Sequence, residues 1–152
     1  MKRSEFTVSA RRTVQAVFGR SLSDVPSAYP DLFRKADKVC LVFGSGAPRS
    51  LEVRTLRLFP DRRNAYFRFR LPFSEKAKTM EQAAGLCSFL FGKGFSRDSL
   101  LIAAGGGAVT DLSGFAASIY MRGMNWVSVP TTFLGQIDAG LGGKPAVNLG
   151  GA

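Results

Sequence analysis

The chain has 152 residues, 45% of them hydrophobic, with 21 Lys and Arg against 11 Asp and Glu for a net charge of +10. That length supports one domain with a core and is too short to count on two. No apolar run reaches the roughly 18–20 residues a membrane helix needs, and the opening MKRSEFTVSARR has charges without an apolar segment behind them, so a cytoplasmic protein with no membrane partner is expected.

The first elements are β-rich. FTVSA and TVQAVF read as an N-terminal β-hairpin, and KVCLVF as a short buried strand running into the turn-rich GSGAP. VRTLRLF and AYFRFRL follow as two further strands. In the latter, Phe67, Phe69 and Leu71 share one face and Arg68 and Arg70 the other. Residues 1–70 hold 15 basic and 6 acidic side chains and residues 71–152 hold 6 and 5, so nearly all the excess charge lies in the first half. Alternating arginines and aromatics suit a nucleic-acid platform, and equally a half-buried strand with solvated arginines. The second reading is the simpler, and no nucleic-acid partner is expected. Cys40 and Cys87 sit in apolar segments as buried free thiols.

From Glu75 the period changes. Met80, Ala83, Ala84, Cys87 and Phe91 fall at helical spacing, with Ser74 placed to cap the helix. SRDS leads into the strand LLIAA. Leu112, Phe115, Ala116, Ile119 and Tyr120 mark a second helix, which MRGMN stops before the strand WVSVP. Strands alternating with helices predict a single α/β domain over residues 1–152, a Rossmann-like, mostly parallel sheet with its ligand at the carboxyl ends of the strands. No internal repeat or low-complexity linker divides it.

In LLIAAGGGAVTD a buried strand breaks into Gly105, Gly106 and Gly107 and then a helix. Bare backbone N–H groups at a helix N-terminus suit a phosphate or pyrophosphate, and side chains at these positions would block its approach. The run departs from G-x-G-x-x-G, having no third glycine at the expected place, and a tight crossover alone would also explain it.

The residues that follow extend the pattern. GGGAVTDLSGFAASIYMRG and VSVPTTFLGQIDAGLGGKPAVN, with LPFSEKAK upstream, resemble 3-dehydroquinate synthase and its sugar-phosphate cyclase relatives over residues 71–152. The resemblance implies NAD as cofactor. Gly105, Gly106, Gly107, Ala108, Val109, Thr110 and Asp111 would wrap its pyrophosphate and ribose; Thr131, Thr132 and Lys144 would add contacts; Glu75 and Lys78 would hold the adenosine ribose. Lys144, Asp138 and Asn148 would be the catalytic residues on the substrate side. Arg122 would reach the substrate phosphate across the interface of a homodimer. Asp111 read alone could be a helix cap, and Asp138 a solvated acid.

The implied reaction is the NAD-dependent cyclisation of 3-deoxy-D-arabino-heptulosonate 7-phosphate to 3-dehydroquinate with loss of phosphate, a carbon–oxygen lyase step of the shikimate pathway. The same family features imply a divalent metal, zinc or cobalt, held by histidines and a glutamate of a C-terminal helical domain. This chain has no histidine. It ends at VNLGGA where the family continues, so that domain is expected to be absent or supplied as a separate polypeptide, the metal to have no site in this chain, and the chain alone to be inactive. A non-catalytic nucleotide-binding module, a cyclase for another sugar phosphate and a glycerol-dehydrogenase-like enzyme are the alternatives.

Overall fold

The computed structural model describes residues 22, 24–58, 65–72, 75–139 and 145–149, with Ala65, Glu75, Asp138 and Ala139 described by their backbone. The hairpin expected from FTVSA and TVQAVF lies outside these residues. Two short helices, α1 (Asp24–Ala28) and α2 (Pro30–Lys35), precede the first strand. The sheet contains β1 (Lys38–Gly44), β2 (Ala65–Leu71), β3 (Leu100–Gly105) and β4 (Asn125–Pro130), in the order β2-β1-β3-β4. Every neighbouring pair is parallel, with Val42 opposite both Phe69 and Ala103, and Ala104 opposite Val129.

Successive residues of each strand face opposite sides, so two cores form. On one side Cys40, Val42, Leu71, Leu101 and Ala103 pack with Phe67, Phe69 and Trp126 beneath α4 (Met80–Gly92) and α5 (Gly107–Ile119). On the other, Val39, Leu41, Phe43, Leu100, Ile102 and Ala104 meet Phe33 of α2 and Leu51 and Leu56 of α3 (Arg49–Leu56). The central strands β1 and β3 are buried on both faces, which is why KVCLVF and LLIAAG are continuous apolar runs rather than alternating ones.

Residues 53–58 of the segment VRTLRLF are not a strand. Residues 49–56 form α3, and Glu52 and Thr55 are buried on it. Parallel β1 and β2 need a crossover, and a helix supplies it, whereas a strand there would have demanded an antiparallel hairpin. AYFRFRL is the strand expected, with Phe67, Phe69 and Leu71 on the α4/α5 side. Its arginines differ from one another. Both are exposed, but Arg70 also pairs with the buried carboxylate of Glu52 on α3.

Helix α4 begins at Met80, after a 3-10 turn over Glu75–Ala77, and its cap is Thr79 rather than Ser74. The Thr79 hydroxyl accepts the Gln82 N–H at 3.4 Å. Ala83, Leu86 and Leu90 form its buried face, whereas Met80 and Phe91 are 41% and 72% exposed and Ala84 is also exposed. The true stripe is therefore turned from the expected one by about one residue. In α5, Leu112, Ala116 and the following Tyr120 are buried as expected, and Tyr120 donates to the Phe95 carbonyl at 2.9 Å, while Ile119 is 49% exposed.

The strand order reverses between β1 and β3: the chain moves outward to β2 on one side and to β3 and β4 on the other. Gly44 and Gly105 end these two central strands side by side. Such a switch point, at the carboxyl edge, is the place where open α/β sheets take their ligands.

Candidate functional site

The carboxyl edge carries the glycine run. Gly105 ends β3, Gly106 is the N-cap of α5 and Gly107 is its first residue. Gly106 offers no side-chain cap, so the free N–H groups of the first turn and the helix dipole face outward, toward negative charge.

Packing also requires glycine at position 105 and is tight at 106. A Cβ at Gly105 would lie 2.8 Å from Val109 Cβ and 2.9 Å from its Cγ2, so α5 can sit this close to β3 only if residue 105 has no side chain. At Gly106 a Cβ would meet Thr132 Cγ2 at 3.2 Å. Gly106 has φ −77° and ψ −179°, ordinary extended backbone, so space rather than conformation decides.

Beyond β4, Thr131 donates its N–H to the Gly105 carbonyl at 2.8 Å and prolongs the β3–β4 ladder by one rung. The Thr132 hydroxyl accepts the Gly135 N–H at 3.2 Å, opening a π turn over Gly135–Ala139 that includes Asp138. Thr131 and Thr132 are thus tied to the same edge as the glycines. Phe133, Leu134 and Ile137 beside them are 78%, 67% and 57% exposed.

On the β2 side, Leu71, Pro72, Ala77, Lys78, Ala108, Val109 and Leu112 line a small, shallow cleft. The Lys78 ammonium sits 2.7 Å from Asp111 Oδ2, with both side chains largely buried. Asp111 is therefore not the helix cap, which is Gly106, five residues earlier. An unpaired carboxylate beside the first turn of α5 would repel an anion; Lys78 neutralises it.

Val109 and Thr110 are buried, so their side chains face the interior. The Thr110 hydroxyl donates to the Gly107 carbonyl at 3.1 Å. Contacts from these two positions to a ligand would have to come from backbone. Glu75 lies in the 3-10 turn that leads to Lys78.

Asn148 returns to the site through its backbone. Its N–H donates to the Lys78 carbonyl at 2.7 Å, and residue 148 forms a parallel bridge with Thr79. Lys144 lies outside the described residues. Pro145 and Trp126 close over Gly114, where a Cβ would come within 2.8 Å of Pro145 Cβ and 2.7 Å of the indole. This contact, the Lys78–Asp111 pair and the Val109 wedge were not foreseen from sequence, although the small residues Ser113, Gly114 and Ala117 at helical spacing signal a close approach to α5.

Arg122 is not brought to this edge. It follows the far end of α5, at φ 67° next to Met121 at φ 47°, about 19 Å of helix from the glycines. Nor does the site form a metal centre: no group of three His, Cys, Asp or Glu able to hold an ion occurs among the described residues. Cys40 is no candidate nucleophile, since burial pushes its thiol up to about 12, and burial also raises Cys87. No helix is long and apolar enough to cross a membrane among the described residues.

The family model described as 3-dehydroquinate synthase N-terminal matches residues 68–152. The 3-dehydroquinate synthase of Sulfurisphaera tokodaii is 41% identical over 126 residues, covering 74% of this chain and 36% of that protein. That of Sulfolobus acidocaldarius is 54% identical over 76 residues, 50% of this chain and 22% of that one. Among solved structures, 2-deoxy-scyllo-inosose synthase complexed with carbaglucose-6-phosphate, NAD+ and Co2+ superposes with a TM-score of 0.77 at 30% identity, over 86% of this chain and 36% of that chain. The 2-epi-5-epi-valiolone synthase of Streptomyces hygroscopicus, with NAD+ and Zn2+ bound, gives 0.73 at 29% identity, over 95% and 40%. The chain spans between 22% and 40% of the lengths of these four proteins.

Proposed function

The chain belongs to the 3-dehydroquinate synthase N-terminal family, and on that premise we propose that it is the NAD-binding part of a sugar-phosphate cyclase, with 3-dehydroquinate formation as its reaction. The observation that carries this reading is the reversal of strand order between β1 and β3, where residues 105–107 lead uncapped into the N-terminus of α5. Two relatives of similar fold carry NAD+ in their solved structures.

In this reading the N–H groups of Gly107 and Ala108 bind the pyrophosphate, assisted by the helix dipole. Lys78, held by Asp111, stands with Glu75 at the adenosine end, and Thr131 and Thr132 fix the opposite side of the site. Asp138, Lys144 and Asn148 serve the substrate side, where a lysine ammonium offsets the charge of a phosphate and carboxylate. Bound NAD supplies a reversible oxidation of one substrate carbinol, which acidifies the neighbouring C–H so that phosphate can leave. The substrate is 3-deoxy-D-arabino-heptulosonate 7-phosphate, and the net reaction is elimination of phosphate with ring closure.

Two further features extend the reading. Ile119 and Met121 are 49% and 44% exposed around Arg122, an apolar surface fitting the homodimer in which Arg122 serves the partner's substrate phosphate. The chain has no histidine, so histidine ligands for zinc or cobalt would have to come from outside this sequence. By itself the chain binds nucleotide without turnover. Phosphate release from the heptulosonate phosphate, assayed with NAD and zinc, tests this: no release is expected from the chain alone. Turnover by the chain alone would overturn the division of labour, and absence of NAD binding would overturn the cofactor role.

A further inference from the structure

Three contacts meet at Lys78. Its side chain is bonded to Asp111 on the first turns of α5, its carbonyl accepts the Asn148 N–H, and the next residue, Thr79, caps α4 and bridges Asn148. Segment 145–149 has its other anchors on the same helix layer: Pro145 stands over Gly114 of α5, and Val147 packs on the α4/α5 core.

We propose that Lys78 is a positioning residue whose bond to Asp111 locks the 75–78 turn onto α5, so that its carbonyl holds Asn148 and the segment 145–149 in place. The physical ground is the shape of this junction. Lys78 lies between a 3-10 turn and the α4 cap, in backbone with no helical or sheet ladder of its own, so a side-chain tether fixes where its carbonyl points. The pair is largely shielded from water, where a charge-assisted bond is stronger than a surface one. The two ends of the cleft are then mechanically joined: what touches Lys78 or Asp111 is felt at Asn148. The junction stands on contacts within the chain, and only its consequence for cofactor rests on the reading of the cleft as a dinucleotide site.

Backbone amide exchange, followed by NMR on the full chain, tests the junction without ligand. Asp111→Ala and Lys78→Met should speed exchange of the Asn148 amide by about ten-fold, leaving Leu101 and Ile102 in β3 unchanged, because the loss is local. Lys78→Arg, which keeps a cation within reach of Asp111, should restore most of the protection. Unchanged exchange at Asn148 in both variants overturns the proposal, as does an equal acceleration at β3, which would mean plain loss of stability. With AMP added, amide shifts at residues 105–108 report binding independently. Binding that slows Asn148 in the wild type and not in Asp111→Ala supports the coupling, and binding that leaves Asn148 unmoved in both overturns it. Absence of any AMP shift would count against the cofactor reading, while the ligand-free comparison still decides the junction.

Discussion

Gly105→Ala isolates the demand that places the glycine run where it is. The added Cβ would lie 2.8 Å from Val109 Cβ, 2.9 Å from Cγ2 and 3.1 Å from Cγ1. Carbon atoms pack best at about 3.5–4.0 Å, so α5 has to retreat by roughly 1 Å. Rotating Val109 does not help, because its Cβ is fixed to the helix backbone. Overpacking of this kind costs about 1–3 kcal/mol, and at about 2–4 °C per kcal/mol for a chain of this size the midpoint should fall by roughly 2–12 °C. Thermal and urea unfolding of four proteins would apportion the cost: wild type, Gly105→Ala, Val109→Gly and the double variant. Val109→Gly removes every atom that clashes, so in that background Gly105→Ala should cost less than about 0.5 kcal/mol. Val109→Ala, which keeps the Cβ, should rescue only part. An equal cost of Gly105→Ala in the wild-type and Val109→Gly backgrounds would refute the steric account of this glycine.

Arg70→Ala strands the Glu52 carboxylate, 7% exposed, in the interface between α3 and β2, and urea unfolding should show a loss of about 1–3 kcal/mol. Arg68→Ala, two residues away on the same face and exposed like Arg70, should stay within about 0.5 kcal/mol, and equal effects would contradict the pairing. The hydrogen bond from Thr79 holds the Glu81 carboxyl below its usual 4.5. A group lowered in the folded state contributes stability above its unfolded value and loses it as pH falls through the folded one. Glu81→Gln should therefore flatten the stability profile below about pH 4.5 and leave the slope above about pH 6 unchanged. Against a thiol reagent at pH 8, native protein should leave Cys40 unmodified, its thiol being pushed up to about 12, with both cysteines reacting in denaturant. Rapid native modification of Cys40 would show that β1 opens.

The strands KVCLVF, AYFRFRL, LLIAA and WVSVP and the two long helices were readable because burial on one or two faces writes a period into the sequence. VRTLRLF misled because Thr55, Leu56, Arg57 and Leu58 alternate polar with apolar as a strand would, while the need for a crossover between parallel strands is a property of the whole sheet. The α4 face was misjudged for a related reason. Met80 and Phe91 are apolar and match the helical period, yet the burial stripe is fixed by Leu86 and Leu90 meeting the sheet.

At the site, the glycines were legible as a place without side chains, and the resemblance put Lys78, Asp111, Thr131 and Thr132 near one another. Sequence spacing does not carry the partners themselves. Lys78 and Asp111 are 33 positions apart, and Lys78 and Asn148 are 70 apart, joined only once the chain has passed through β3, α5 and β4. The clash that makes Gly105 obligatory depends on the separation of α5 from β3. Small residues on α5 hint at that closeness without naming Val109.

The central claim is that the uncapped start of α5 takes a dinucleotide, and calorimetric titration with NAD of wild type against Gly106→Val tests it most directly. The substitution adds its first carbon 3.2 Å from Thr132 Cγ2 in backbone that any residue adopts, so the fold should persist while the approach to the N–H groups closes. One molecule of NAD should bind per wild-type chain, and the variant should bind at least about ten-fold more weakly with an unfolding midpoint within a few degrees of wild type. No binding heat from the wild type, or equal affinity in a folded Gly106→Val, would contradict the account.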